Sequence, residues 1–215
     1  MPIDLQPYLD PTSTAILVIE CQEGVIGPEA PLRGLVQSVQ ESGMVPTLAR
    51  FLDSARGAGA RVYHCTVEKR QDGFGEPFNT PLTARLRGRE SGNAMFPGSP
   101  TAATLKELGP APWDIMAPRA HGMTAFNESG LDSLLRASGV RTVIPTGVSV
   151  NIAITGATLE AVNRGYHVII PTDCVAGDPP SYAQDALRYC LRNLAFLTTA
   201  ADIAAIWDQA PPGQL

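Results

Sequence analysis

Apolar runs alternate with amphipathic stretches along most of this chain. Residues 14–20 form a continuous apolar run that ends in the carboxylate of Glu20, which is typical of a strand buried on both faces. Residues 44–58 carry apolar side chains at helical spacing and stop at glycines. The same patterns predict further strands at 61–67, 113–117, 142–146, 166–171 and 197–199, and further helices at 128–138, 150–163 and 181–194. This alternation predicts an α/β fold, a three-layer α/β/α domain with a mostly parallel six-stranded sheet.

Three segments lack a clear period. Residues 1–13 hold three prolines and are predicted to be an extended lead-in, and residues 21–40, rich in Gly and Pro, are predicted to be loop. Residues 70–112 are polar and glycine-rich, with short helices predicted at 81–87 and 101–108. A connection this long inside a compact domain usually has a function or covers a site, so a flap is expected there.

Length and composition narrow the classes of function. A chain of 215 residues suits a single domain spanning 1–215. Its formal net charge of −5 gives no basic surface for nucleic acid or an anionic membrane. No apolar run approaches the ~20 residues of a membrane span, and the sequence shows no basic segment followed by an apolar stretch as in a signal peptide. A cytoplasmic location is therefore expected.

The cysteines show no metal or disulfide pattern. Four of them are scattered among apolar neighbours without CxxC spacing: Cys21, Cys65, Cys174 and Cys190. They are predicted to be small buried hydrophobic residues.

Charged side chains follow the ends of the predicted strands. In an α/β sheet the carboxyl ends of the strands border the crevice in which ligands bind. Glu20 follows the first strand there and is the candidate general acid, although a carboxylate bonded to loop amides is the structural alternative. Arg119 and His121 follow the third strand, and at least one of them is expected to face the same crevice as a catalytic cation.

Three further residues are candidates for substrate binding. Gln22 either orients a substrate or caps a loop. His64 lies inside the second strand, where a satisfied core histidine is the more common reading. Arg70 could bind a carboxylate with both arms of its guanidinium, or form a solvated loop pair. His64, His121 and Glu68 lack metal-ligand spacing, so no metal and no cofactor is predicted.

The turn after the fourth strand is a candidate oxyanion or anion site. Unpaired amides at a helix start can hold negative charge, which places Ser149 and Asn151 among the substrate-binding candidates. Ser149 has no GxSxG context and suits an N-cap better than a nucleophile. Ala153 is also a substrate-binding candidate. It stands where a covalent mechanism would need Cys or Ser, so no covalent intermediate is expected at this position.

Four segments together resemble the isochorismatase-like (cysteine hydrolase) family, which includes nicotinamidases and N-carbamoylsarcosine amidases. Residues 15–22 resemble its opening strand, which normally ends Ile-Asp-Met-Gln, and residues 122–126 with Leu131-Asp132 resemble its Tyr-Ser-Ala-Phe…Leu-Asp segment. Residues 147–154 and 160–166 resemble the strand and helix that carry its nucleophile. The resemblance covers about residues 14–200 and implies the family's α/β fold.

The resemblance also implies a site from which this chain departs. The family's catalytic set is Asp, Lys and Cys. Glu20 stands at the Asp position, Ala120, between Arg119 and His121, at the Lys position, and Ala153 at the Cys position. Some isochorismatases with a small residue in place of Cys cleave a vinyl ether: the carboxylic acid protonates carbon and water captures the oxocarbenium ion. The family also implies a cis peptide near Val148-Ser149 that aims backbone amides.

Three functional hypotheses follow. The first is a homo-oligomeric (dimeric or tetrameric), metal-free hydrolase of a small metabolite that uses non-covalent acid/base catalysis through Glu20. The second is a degenerate family member that binds a ligand or partner protein and catalyses nothing. The third is an ester or amide hydrolase in which Glu20 or His121 activates water, so that the carboxylate is a base. A cation beside Glu20 favours an enzyme, whereas a filled apolar crevice favours a binding protein.

Overall fold

A parallel β-sheet forms the centre of the molecule, which is seen here in a computed structural model that describes residues 4–86 and 95–209. Its strands are β1 Thr14–Ile19, β2 Arg61–Cys65, β3 Ile115–Met116, β4 Thr142–Val148, β5 His167–Pro171, β6 Val175–Ala176 and β7 Phe196–Thr198. They lie in the order β3-β2-β1-β4-β5-β7, and β6 pairs with β4. All strand pairs within these residues are parallel. The predicted fold class is confirmed with one strand more than expected, because a two-residue strand such as β6 has no readable period.

Helices cover both faces of the sheet. They are α1 Glu23–Ile26, α2 Arg33–Ser42, α3 Met44–Ala58, α4 Pro81–Leu86, α5 Leu131–Ala137, α6 Thr155–Asn163, α7 Pro180–Asp185 and α8 Ala200–Asp208. None of these helices is both long and apolar enough to span a membrane.

Several predicted segments differ from the structure. The loop predicted at 21–40 contains α1 and α2, because the apolar positions of α2 pack inward after the last proline of the segment. The helix predicted at 101–108 reduces to a 3₁₀ turn, Pro100–Ala102. The extended lead-in contains two 3₁₀ turns, Gln6–Tyr8 and Pro11–Ser13. Residues 1–3 of that lead-in and 87–94 of the predicted flap lie outside the described residues.

Two predicted helices begin or continue irregularly. A π-helical turn, Val150–Ile154, precedes α6. The helix predicted at 181–194 is divided into α7, a π-helical turn at Ala186–Cys190 and a 3₁₀ turn at Leu191–Asn193. The sequence did not indicate α8, whose N-terminus is closed by a capping box between Thr199 and Asp202.

Strand β1 is buried along its whole length. Because successive strand side chains point to opposite faces, Ile16 and Val18 join the core beneath α3 and α8, and the alternate residues join the core beneath α5 and α6. In the first of these layers Phe51 stacks on Trp207, with ring centroids 5.7 Å apart. The continuous apolar run at 14–19 is therefore explained by burial on both faces.

A buried charged network ties α3 to the edge of the sheet. His64 Nε2 lies 2.9 Å from Asp114 Oδ2, and Arg56 donates to the same carboxylate through Nη2 at 2.7 Å and Nε at 3.2 Å. The amide of Ala111 adds a hydrogen bond of 2.8 Å. His64 is therefore committed to Asp114, which is the structural alternative that the sequence favoured over substrate binding.

We expect Asp114→Asn to destabilise the protein markedly. The carboxylate is 3% exposed and is the buried partner of Arg56, so removing its charge leaves a partly buried guanidinium with only an exposed partner, at a cost of about 3 kcal/mol. Urea unfolding followed by circular dichroism measures this loss. Asp53→Asn is the matched control, because Asp53 pairs with the same arginine but is 81% exposed and should change stability little. Equal losses in both variants would contradict this account of the network.

His64 also makes stability depend on pH. Burial lowers its pKa from the ordinary 6.5, against the opposing effect of Asp114. In the unfolded chain this histidine therefore binds a proton near pH 6.5, whereas in the folded chain it stays neutral to a lower pH. The free energy of unfolding consequently falls as the pH drops below about 6.5, by at most about 1.4 kcal/mol per pH unit. The pKa of Asp114 is lowered from 3.8, so its own contribution is lost only at still lower pH.

Urea midpoints between pH 7.5 and 5 test this dependence. The loss seen in the wild type should shrink in His64→Asn, which keeps a hydrogen-bond donor but does not titrate. It should persist in His167→Asn, since His167 is exposed. A pH dependence that survives in His64→Asn would assign it to another group.

Candidate functional site

A cavity of about 400 Å³ opens beside the carboxyl end of β1. Its walls come from Glu20, from the loop Arg119–Met123 after β3, and from several residues between Glu76 and Leu86. The cavity therefore lies at the strand ends where ligand binding was expected, and part of the predicted flap forms one wall.

Glu20 is fixed at the point where the chain leaves the sheet. Its backbone has φ of +54°, a left-handed conformation that costs a residue other than glycine about 1–3 kcal/mol. Its amide still donates to Cys65 O at 3.0 Å, which continues the β1–β2 ladder by one residue. The side chain is 17% exposed and borders the cavity. The strained turn thus brings a carboxylate to the cavity wall.

Arg119 is the cation that contacts this carboxylate. Its backbone is held beside β2, because its amide donates to Thr66 O and its carbonyl accepts from the Glu68 amide, both at 2.9 Å. The side chain is 3% exposed, and Nη2 forms an ion pair with Glu20 Oε1. Nη1 is buried with no hydrogen-bond partner among the described residues. A carboxylate beside a guanidinium suits a proton acceptor, because the ionised form accepts a proton but cannot donate one.

His121 and Ala120 also border the cavity, and both are exposed. Asn127 Nδ2 donates to the His121 carbonyl at 3.1 Å, so this loop is held by its own residues. Of the three positions 119–121 that could replace the family lysine, the structure brings only Arg119 into contact with Glu20.

A second ion pair in the cavity wall was missed from the sequence. Lys69 Nζ contacts Glu76 Oε1, and their side chains are 24% and 15% exposed. The Lys69 amide also donates to Met95 O at 2.6 Å. The charged stretch after β2 was the only signal in the sequence for this pair, and Arg70 was chosen from it as the candidate. No local pattern shows which of several neighbouring charged residues faces a cavity.

Gln22 and Arg70 take the structural roles that were the alternatives to substrate binding. Gln22 is fully buried, donates to Val67 O at 2.9 Å and Ala102 O at 2.8 Å, and accepts from the Val67 amide at 2.7 Å. Its amide is therefore used in joining three segments. Arg70 is 63% exposed, pairs with Asp72, and does not line the cavity.

The turn after β4 has the expected backbone but does not reach this cavity. The Val148-Ser149 peptide is cis, as the resemblance implied. Ser149 occupies the N-cap position without a side-chain capping bond. Asn151 is engaged with the backbone of Asp178, accepting at 3.0 Å and donating at 2.5 Å. Ala153 is 3% exposed and packs in the core, so none of these three candidates borders the cavity beside Glu20.

No cysteine lines the cavity either. Burial raises the pKa of the Cys65 thiol to about 12, with Arg119 opposing the shift and Glu20 adding to it. Burial likewise raises the pKa of Cys21 and of Cys174. Cys190 is exposed, so the prediction that all four are buried was wrong for this one. Within the described residues, no group of three or more His, Cys, Asp or Glu side chains is placed to hold a metal ion.

Comparison with known proteins gives relatives that share one name, ureidoacrylate amidohydrolase RutB. The ureidoacrylate amidohydrolase RutB of Agrobacterium fabrum is 27% identical over 216 residues, which cover 95% of this chain and 94% of that protein. The RutB of Methylorubrum extorquens strain AM1 is 29% identical over 210 residues, covering 91% and 82% of the two chains.

Solved structures share the fold. An isochorismatase family protein from Desulfovibrio vulgaris superposes with a TM-score of 0.77 at 24% identity, covering 92% of this chain and 99% of that one. The N-carbamoylsarcosine amidase of Thermoplasma acidophilum superposes with a TM-score of 0.67 at 20% identity, covering 94% and 99%. The sequence model of the isochorismatase domain matches residues 14–202. The match spans the whole sheet together with the loops that form the Glu20 cavity, and the chain therefore belongs to the isochorismatase-like hydrolase family.

Proposed function

We propose that this protein hydrolyses a small metabolite by non-covalent acid/base catalysis through Glu20. The observation that carries the proposal is the ion pair of Glu20 with Arg119 in the wall of a cavity that no cysteine lines. A carboxylate and a guanidinium supply a proton acceptor and a fixed positive charge, which are sufficient for attack by water.

The ion pair favours the carboxylate as a base in the first step. Glu20 takes a proton from water as the water oxygen attacks the carbonyl carbon of the substrate, and the carbonyl becomes an oxyanion. The protonated Glu20 then gives this proton to the leaving nitrogen or oxygen as its bond to carbon breaks. The net reaction adds one water across the cleaved bond, and Glu20 returns to its starting state.

Arg119 has a second role in this scheme. Its Nη2 is committed to Glu20, and its guanidinium holds a fixed positive charge at the cavity wall, which would stabilise the negative charge that develops on the substrate. His121 borders the same cavity and can hydrogen-bond a carboxylate or carbonyl at the more exposed side. The acid-first cleavage of a vinyl ether is less well supported, because it requires Glu20 to begin as a proton donor.

The cavity and the relatives both support a proposal for the substrate class. A volume of about 400 Å³ is in the range of small-molecule sites. The RutB relatives are named for hydrolysis of ureidoacrylate, an amide-containing acid. We therefore place amide-like acids first among the substrates. A cytoplasmic location and assembly into a dimer or tetramer, both expected from the sequence, belong to the same proposal.

Glu20→Gln should abolish turnover. The neutral amide cannot accept a proton from water, so kcat should fall by at least about 100-fold. The assay compares wild type and variant on ureidoacrylate, isochorismate, nicotinamide, a carbamoyl amine and an aryl ester. Glu29→Gln is the matched control, because the side chain of Glu29 is 93% exposed and outside the cavity. It should retain wild-type turnover.

Folding and binding must be monitored alongside these rates. Near-wild-type circular dichroism of Glu20→Gln would assign the lost rate to chemistry. Unchanged turnover in that variant would overturn the role of Glu20. A folded wild type that binds members of the panel but converts none of them would instead support the binding protein without catalysis.

Turnover should also resist thiol alkylation. Thiolates react with iodoacetamide, and burial keeps Cys21, Cys65 and Cys174 protonated and covered. Native protein should therefore be alkylated at Cys190 alone, with no loss of activity, as mass spectrometry and rate assays together would show. Cys190→Ser controls for effects of that one label. Inactivation that parallels labelling of a buried cysteine would contradict the thiol-independent mechanism.

A further inference from the structure

A second cavity, of about 850 Å³, lies at the edge of the sheet formed by β7. The β5–β7 ladder begins at Ile169 and Phe196, and the residues just before these positions, 167–168 and 194–195, line the cavity. The cavity therefore runs along the edge strand β7 and reaches the amino end of β5, whereas the Glu20 cavity lies at the carboxyl end of β1. The two cavities share no lining residue.

The walls of this second cavity are largely apolar. Leu5, Val168, Ala195 and Leu197 contribute aliphatic surface, and Phe196 contributes an aromatic ring. Phe196 packs on Tyr8 with ring centroids 4.9 Å apart, so this wall is supported from behind. The volume is within the range of small-molecule sites, and such walls suit a ligand with an apolar body.

The charged groups that line this cavity are all of one sign. Arg188 and Arg192 both border it, and none of its lining residues is Asp or Glu. Among the described residues, neither arginine forms an ion pair, and the Arg188 guanidinium lies 5.1 Å from the centre of the Tyr189 ring. By contrast Arg56, Arg119 and Arg164 each pair with a carboxylate.

We propose that this cavity binds a small organic anion, in which a carboxylate, sulfonate or phosphate group is attached to a flat apolar body. Guanidinium groups bind such oxyanions with two parallel hydrogen bonds, and two arginines without competing carboxylates leave that capacity available. The chain as a whole has a net charge of −5 and repels anions, so the two arginines make this cavity a local site of positive charge that attracts them. The site is separate from the proposed hydrolytic site and does not depend on it.

Two fluorescent probes test the proposal. 8-Anilinonaphthalene-1-sulfonate carries an anionic group on an apolar body, and N-phenyl-1-naphthylamine has the same rings without the charge. Titration of the full chain should show saturable binding of the sulfonate. Its affinity should fall about ten-fold or more in the double variant Arg188→Gln/Arg192→Gln, with little change for the neutral probe.

Control variants separate charge from cavity. Arg50→Gln/Arg61→Gln removes the same charge from two exposed arginines outside the cavity and should leave both affinities near wild type. Ala195→Trp fills the cavity and should weaken both probes.

Three results would overturn the proposal. They are no saturable binding of the sulfonate to the wild type, wild-type affinity in the Arg188/Arg192 variant, or an equal loss in the Arg50/Arg61 variant. Circular dichroism of each variant confirms that the comparison is between folded proteins.

Discussion

Burial of β1 on both faces is the constraint on which the rest of the molecule depends. All six of its residues are buried, between parallel neighbours β2 and β4 and between two helical layers. A carboxylate cannot continue such a strand, because charge in an apolar interior is costly unless it is paired. The chain therefore turns out of the sheet at Glu20, in a left-handed conformation, and the parallel arrangement brings the end of β2 and the loop after β3 to the same edge.

Two carboxylates that form ion pairs, Asp114 and Glu20, have different surroundings and therefore different roles. Asp114 is saturated by Arg56, His64 and a backbone amide, and it has no contact with a cavity. Glu20 has one cationic partner, borders a cavity, and faces an arginine with one unsatisfied nitrogen. The Asp114 carboxylate is fully paired and serves stability, although Nδ1 of His64 is buried without a hydrogen-bond partner among the described residues. The Glu20 pair differs from the Asp114 system in that it borders a cavity, which is the position expected of a functional site.

The arrangement of sulfur and carboxylate groups also limits the chemistry. Ala153 packs into the core after the cis peptide, and the buried thiols lie outside the cavity. A thiolate nucleophile is therefore not available at the cavity wall, whereas a carboxylate and a guanidinium are. Family membership gives the hydrolase fold, and under the proposed mechanism water activated by Glu20 replaces the covalent step.

Local patterns in the sequence were sufficient for the sheet, for α3, α5 and α6 and for the position of Glu20, because burial on both faces and helical spacing show as periods in consecutive residues. They also placed Arg119 and His121 at the correct edge. They could not show that the side chains of Gln22, His64 and Asn151 form hydrogen bonds with backbone or side-chain groups far away in the sequence. The Lys69–Glu76 pair and the cluster of Arg188 and Arg192 likewise required the tertiary structure. Hydrogen-bond partners far apart in sequence leave no periodic signal, so only the packed structure decided which polar residues remain available for a ligand.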